Sequence, residues 1–227
     1  MIYGASLHGS RRAYAALWLG VWLSVALAGC EVLPSGSGTV SPGPRTPTRL
    51  GTVTAMAATV SVNNRPVQGS VPLNDGDKVA TDATGRAHVE LPGRGTVDLE
   101  VNTDPWFVRE GACVVVRIIF GGALVSGSSL CVEDDQGTRV ALGSAIHVHV
   151  GQGRTSITVV EGTVHLQRIA RVQTLETLTS LQRVTIANGR VQQRAIVPRT
   201  EVDVLRQRFL IPAQRMQPGQ PPPQIIR

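Results

Sequence analysis

His147 and His149, in "AIHVHV", come nearest to a metal-binding pattern. Two imidazoles at i and i+2 on a strand leave the same face, as a zinc or copper centre requires, and His88 or His165 on a neighbouring strand would supply a third ligand. The plainer reading is two polar residues on the solvated face of a sheet. No cysteine or carboxylate stands at ligand spacing beside them, so no metal or other cofactor is expected. A second cluster, "NDGDKVATD", holds Asp75, Asp77 and Asp82. An EF-hand-type calcium loop fails on register: counted from Asp75, position five is Val79, position six is Ala80 instead of glycine, and position twelve is Arg86 instead of a bidentate glutamate. These acids read as turn residues, with Asp77 and Thr81 capping exposed backbone donors. Asp134-Asp135, in "EDDQG", reads as a solvated turn. There is no Gly-x-Ser-x-Gly elbow, no His-Glu-x-x-His and no phosphate-binding glycine loop. No nucleophile, base and orienting group can be nominated together, so the chain is not expected to be an enzyme.

The chemistry with a clearer signature lies at the N-terminus. Arg11 and Arg12 precede an apolar run from Ala13 that ends in Leu27-Ala28-Gly29-Cys30. A basic n-region, an apolar h-region and small residues before a cysteine form a signal peptide of the lipobox type, in which Cys30 is acylated on sulfur and becomes the first mature residue. The alternative is an uncleaved signal anchor, since the run is at the lower limit for spanning a bilayer. Either way, Glu31 onward belongs outside the cytoplasm. More than one acyl chain would give stable anchoring, at about 0.8 kcal/mol per buried CH₂. "EVLPSGSGTVSPGPRTPTR" follows, too poor in large apolar side chains to order itself, and reads as a tether.

With Cys30 assigned to lipid, Cys113 and Cys131 remain as a pair in an oxidising compartment, where a bridge is expected. Two buried free thiols are the alternative. A bridge across 18 residues would contribute on the order of 3 kcal/mol in the chain-entropy model. The full chain carries 22 basic and 16 acidic side chains. Ten arginines lie from Arg168 onward, against Glu176, Glu201 and Asp203. Nucleic acid is a poor partner for this basic end, because export removes it and no aromatic stacking platform is interleaved. Adhesion to anionic lipid or envelope polymer is open to it, as is a simple solvated basic face.

These side chains must be positioned by strands. From Leu50 to Leu166 the apolar residues recur with period two in short runs bounded by Gly, Asn, Asp and Pro, the pattern of an all-β domain. "RAHVEL" puts Ala87, Val89 and Leu91 on one face, and "GTVDLEV" does the same with Val97, Leu99 and Val101. "CVVVRIIF" should be buried on both faces. "AIHVHV" and "SITVVEGTVHLQ" should pair, with a bend at Glu161-Gly162. Asn63-Asn64 and Asn188-Gly189 are turn pairs, the second a strong hairpin signal. Near the end Thr200 and Asp203 resemble a capping box, and Val202, Leu205 and Phe209 would share one face of a short helix.

The order of these motifs resembles the FecR-like domain. Val60, Val62, Leu73, Gly76, Asp77, Val79, Thr81, Gly85, Arg86, Ala87, Val89 and Leu91 fall on its first half, and Gly143, Ser144, Thr155, Val159, Gly162 and Val164 on its second. Departures are a Gly-Ser where the family has Gly-Thr, a missing aromatic, "PGRGT" in place of an Asp-Gly hairpin, and the segment holding Cys113 and Cys131. The resemblance implies a compact, mainly β, antiparallel sandwich or roll with structural roles for Gly76, Asp77, Thr81, Gly85 and Gly162. The family's namesakes resemble transmembrane relays to a sigma factor. That role is not expected here, because too few residues precede the h-region for a sigma-binding module.

The expected organisation is a signal peptide over 1–29, lipidated Cys30 and tether over 30–49, a FecR-like β domain over 50–192, a strand and helix extension over 193–210, and a Pro/Gln-rich tail over 211–227. The expected function is a lipid-anchored, non-catalytic binding or sensory module of the cell envelope, in the periplasm or at the cell surface. Its expected partners are the membrane, through Cys30, and an envelope protein or polymer. A structural protein adhering through the basic end is the alternative.

Overall fold

The computed structural model describes residues 47–169 and 173–210. The segments expected to be the signal peptide and the Pro/Gln-rich tail, Cys30, and nearly all of the expected tether lie outside the described residues. The chain runs through β1 (Arg49–Ala57), β2 (Val60–Val62), β3 (Arg65–Val67), β4 (Ser70–Asn74), β5 (Val79–Thr81), β6 (Arg86–Leu91) and β7 (Gly95–Leu99). There follow β8 (Pro105–Glu110), β9 (Cys113–Ile118), β10 (Gly121–Gly127), β11 (Leu130–Asp134) and β12 (Thr138–Ala141). The last part holds β13 (Ala145–Gly151), β14 (Arg154–Glu161), β15 (Thr163–Arg168), β16 (Gln173–Thr179), β17 (Gln182–Ala187), β18 (Arg190–Ile196) and the helix α1 (Arg199–Leu210).

These strands make a nine-stranded sheet in the order β18-β17-β14-β13-β10-β7-β6-β1-β4, a six-stranded sheet in the order β16-β15-β12-β11-β9-β8, and a small sheet β3-β2-β5. No sheet closes into a barrel, and the fold is the expected mainly β one with a short helix. Period-two alternation explains how the layers pack. Val89, Val97, Val125, Val148 and Ile157 point inward from the large sheet and meet Phe107, Val116, Val132 and Leu166 from the six-stranded one in a single apolar core. Each of those side chains is at most 2% exposed.

Three details depart from the sequence reading. β9 and β11 pair in parallel, Val114 opposite Leu130 through Ile118 opposite Asp134, within otherwise antiparallel sheets. Val114, Val115 and Val116 are buried on both faces as expected, but Ile119 and Phe120 at the end of that run are 45% and 52% exposed, because the chain has turned towards β10. Helix α1 begins at Arg199, so Thr200 lies inside its first turn. The amides of Glu201 and Val202 donate to the Pro198 carbonyl, at 3.0 and 3.3 Å, where a capping side chain was expected.

The turn signals behave as their chemistry requires. Asn63 and Asn64 have φ of 50° and 62°, and Asn188-Gly189 joins β17 to β18 with φ of 53° and 63°. β13 and β14 pair over their length. At Gly162, however, the chain does not turn back in the same sheet: β14 belongs to the nine-stranded sheet and β15 to the six-stranded one.

Candidate functional site

The His147 strand lies in the middle of the nine-stranded sheet, and its histidines face away from the core. Register aligns one row across this outer face: His88, Asp98, Leu124, His147, Thr158 and Arg183 on β6, β7, β10, β13, β14 and β17. Helix α1 covers the far part of that row. Val202 and Leu205 are buried beneath it, Val202 in a small cluster with Val160, Val197, Leu124, Ala145 and Leu181 that is separate from the main core. The Phe209 ring centroid is 6.1 Å from that of His147. Ion pairs tie the helix down: Arg183 to Glu201, Arg206 to Glu161, and Arg208 to Glu100.

Glu100 is the hub at the helix's C-terminal end. Its Oε1 is 3.3 Å from both His147 Nε2 and Arg208 Nη1. The hydrogen bond to His147 holds its carboxyl below the usual carboxylate range, against the opposing effect of burial, with Arg208 adding to the depression. The row below brings Gly122 opposite His149. A Cβ at Gly122 would fall 2.3 Å from Glu100 Oε2 and 3.1 Å from His149 Nδ1, so the missing side chain is what lets Glu100 lie flat against the sheet.

The third ligands considered for a metal do not converge. His88 is separated from β13 by β7 and β10 and is bound to Asp98, 2.6 Å from its Nδ1. That bond raises the His88 pKa, with burial opposing it. His165 lies on the other sheet, 3.1 Å from Thr177 Oγ1. Among the described residues no three His, Cys, Asp or Glu side chains are grouped to hold a metal ion.

The acids of the Asp75 cluster are occupied by donors of the fold itself. Asp75 accepts from the Arg109 amide at 2.7 Å, Asp77 from the Asn74 amide at 2.6 Å and from Asn63 Nδ2 at 2.7 Å, and Asp82 from the Gly85 amide at 2.6 Å. Thr81 Oγ1 donates to the Glu100 carbonyl and accepts from the Thr103 amide at 2.9 Å. Gly76 sits at φ 84° in the turn between β4 and β5. Gly85 packs so closely that a Cβ would lie 2.2 Å from the Thr59 carbonyl oxygen.

The outer face of the six-stranded sheet holds the expected disulfide and, beside it, a charge network that sequence reasoning missed. Cys113 and Cys131 are bridged, with Cα atoms 6.0 Å apart. Beside them Glu133 accepts from Arg117 at 2.9 Å and from Arg139 at 2.8 Å, and Arg139 reaches Glu110 at 2.6 Å. Glu133 and Asp134, read from the sequence as part of a solvated turn, are 7% and 4% exposed. Of the three acids in that stretch, only Asp135 is exposed. Asp134 points the other way, between the sheets, and accepts from Thr138 N at 2.7 Å and Thr155 Oγ1 at 2.8 Å. Burial pushes its pKa up, against the lowering effect of those bonds. Strand alternation would have separated Glu133 from Asp134, but "EDDQG" also ends a strand, and its turn composition outweighed that signal. The basic end is partly neutralised: Arg183, Arg194, Arg206 and Arg208 each pair with a glutamate.

No family model matches the chain. No curated protein matches it either. The solved structures that resemble it include two of a protein described as a "putative anti-sigma factor" from Parabacteroides distasonis ATCC 8503. They are 13% and 15% identical, each with a TM-score of 0.47, over 57% of this chain and 64% of theirs, so the chain spans less than two thirds of their length. At such values the likeness does not extend to family or activity, and the FecR-like resemblance stands on its motifs alone.

Proposed function

We propose that this chain is a non-catalytic binding or sensory module of the bacterial cell envelope, with a FecR-like β domain held to a membrane through acylated Cys30. The observation that carries the reading is the Cys113–Cys131 bridge, which suits a compartment where disulfides persist and agrees with the export signal ahead of Cys30. The outer faces of both sheets support it in a second way. Their charged groups, Glu100 with His147 and Arg208, and Glu133 with Arg117 and Arg139, are spent on one another and on holding α1, as in a rigid scaffold that presents surface.

The test is metabolic labelling of cells with an alkyne fatty acid, comparing the wild type with Cys30→Ala. The reading expects label on the wild-type protein, none on the variant, and release of the variant from the membrane fraction. An unlabelled wild-type protein, or label that survives Cys30→Ala, would overturn the anchor.

A further inference from the structure

We infer that the uncovered corner of the nine-stranded sheet's outer face, around Arg154 and Arg190, binds a polyol phosphate chain, in which successive phosphate diesters are joined by hydroxylated carbons. Register sets two rows there, below the one that α1 covers. The first runs His149, Ser156, Thr185 and Gln193, and the second Gly151, Arg154, Ala187 and Arg190, on β13, β14, β17 and β18. Neither row holds a carboxylate. Arg154, Thr185, Ala187 and Gln193, with Asn188 and Gln192, line a recess of about 470 Å³. The ring of Phe120, 52% exposed, stands at the end of the arginine row, where a Cβ on Gly151 would lie 3.6 Å from its Cε2.

The charge at this corner is unspent. Ion pairs among the described residues engage Arg117, Arg139, Arg183, Arg194, Arg206 and Arg208, but not Arg154, Arg168 or Arg190. Arg168 belongs to the same corner: it reaches the β17–β18 turn from the other sheet, and a Cβ on Gly189 would lie 2.6 Å from its Nη2. The adjoining turn carries one exposed acid, Asp135, next to Gln136, which bonds the Gly153 carbonyl and the Gly189 amide. Three guanidiniums against that carboxylate leave the corner positive, a field that favours an anion. Arginine matches phosphate oxygens in pairs. β14 and β18 flank β17, so Arg154 and Arg190 are based about 10 Å apart. That spacing suits two anions in succession, and the hydroxyl of Thr185 and the amides of Asn188 and Gln192 around them suit the hydroxylated link. A bilayer suits this face less well. Helix α1 lies on the same side of the sheet and is about 10 Å thick, so it holds a flat surface off the recess, whereas a flexible chain fits beside it. The inference rests on the binding reading above, but not on the lipid anchor.

The test titrates the full chain, held in nonionic micelles, against a fluorescently labelled glycerol phosphate oligomer and follows anisotropy. The expected result is saturable binding that weakens with added salt and falls about tenfold or more in Arg154→Gln, with a further loss when Arg190→Gln is added. Both positions are exposed, and an unchanged melting temperature shows that the fold is intact. Arg199→Gln removes the same charge from the start of α1, at the other end of β18, and should leave affinity within about twofold. Polyglutamate of equal charge should bind about tenfold more weakly or worse, since it offers neither phosphate nor polyol. Absence of binding, an equal loss in Arg199→Gln, or equal affinity for polyglutamate would overturn the inference. So would displacement of the oligomer by phosphatidylglycerol added to the micelles, which would assign the corner to a lipid surface. Failure here would leave the fatty-acid label on Cys30 untouched, and loss of that label would leave this binding in place, so the two readings fall separately.

Discussion

Replacing Gly162 by alanine should be among the most damaging conservative changes in this protein, and its cost can be divided into two parts. Gly162 stands where the chain leaves the nine-stranded sheet for the six-stranded one, with φ of 79°. A side chain in that left-handed region costs about 1–2 kcal/mol. Its Cβ would also lie 2.3 Å from Ser144 Cβ and 3.0 Å from Ser144 Oγ, an overlap that must move backbone, at about 1–3 kcal/mol. Gly162→Ala should therefore lose about 2–5 kcal/mol in urea denaturation of the oxidised protein. Ser144→Gly removes the obstructing atoms but not the φ penalty, so in that background the same substitution should cost only about 1–2 kcal/mol. The two changes must be non-additive, with a favourable coupling of about 1–3 kcal/mol. Additive losses, or a single Gly162→Ala within about 0.5 kcal/mol of wild type, would refute both the close approach and the crossing at this residue.

Three further outcomes follow from the same geometry. Asp77→Ala leaves the Asn74 amide and Asn63 Nδ2 without their acceptor, and should lower stability by about 1–3 kcal/mol in chemical denaturation. Replacing Cys113 and Cys131 by alanine should cost on the order of 3 kcal/mol, and a reductant should do nothing further to that variant. The His88–Asp98 pair gives a pH signature: the folded state holds the imidazole proton more tightly than the unfolded chain, whose value is near 6.5. Its contribution is thus complete below pH 6.5 and lost as pH rises through the higher folded-state value. Asp98→Asn should flatten that part of the stability profile, and an unchanged slope would count against the pair.

How far the sequence could be read depended on how local each feature was. Ala87, Val89 and Leu91 alternate within six residues, and β6 was legible from that alone, as was the Asn188-Gly189 hairpin from two residues. The parallel pairing of β9 with β11 was not, because apolar runs do not record the direction of their neighbour. Buried acids were the other blind spot. Glu133 is held by Arg117, Arg139 and, through Arg139, Glu110, partners drawn from three other strands that only the fold brings together. A turn-like composition cannot distinguish such a residue from exposed Asp135.

The same distinction separates the two histidines from the cleft beside β16 that Glu176, Leu178, Val184, Arg194 and Ile196 line. His147 and His149 are a strong local pattern, and strand geometry does put them on one face, but what decides their chemistry is the company they keep across the sheet. That company is Glu100, Arg208 and Phe209, which fasten a helix, and the nearest further histidine on that sheet, His88, is already committed to Asp98. The β16 cleft has no local pattern at all. "QTLETLT" reads as an ordinary strand, and Ile196 as one more apolar residue in the next hairpin. The opening arises because one sheet extends beyond the other, which leaves an inward-facing isoleucine exposed and a carboxylate oxygen of Glu176 buried without a donor among the described residues. A pattern can nominate residues for chemistry, but a mismatch between layers can be found only after the layers are packed.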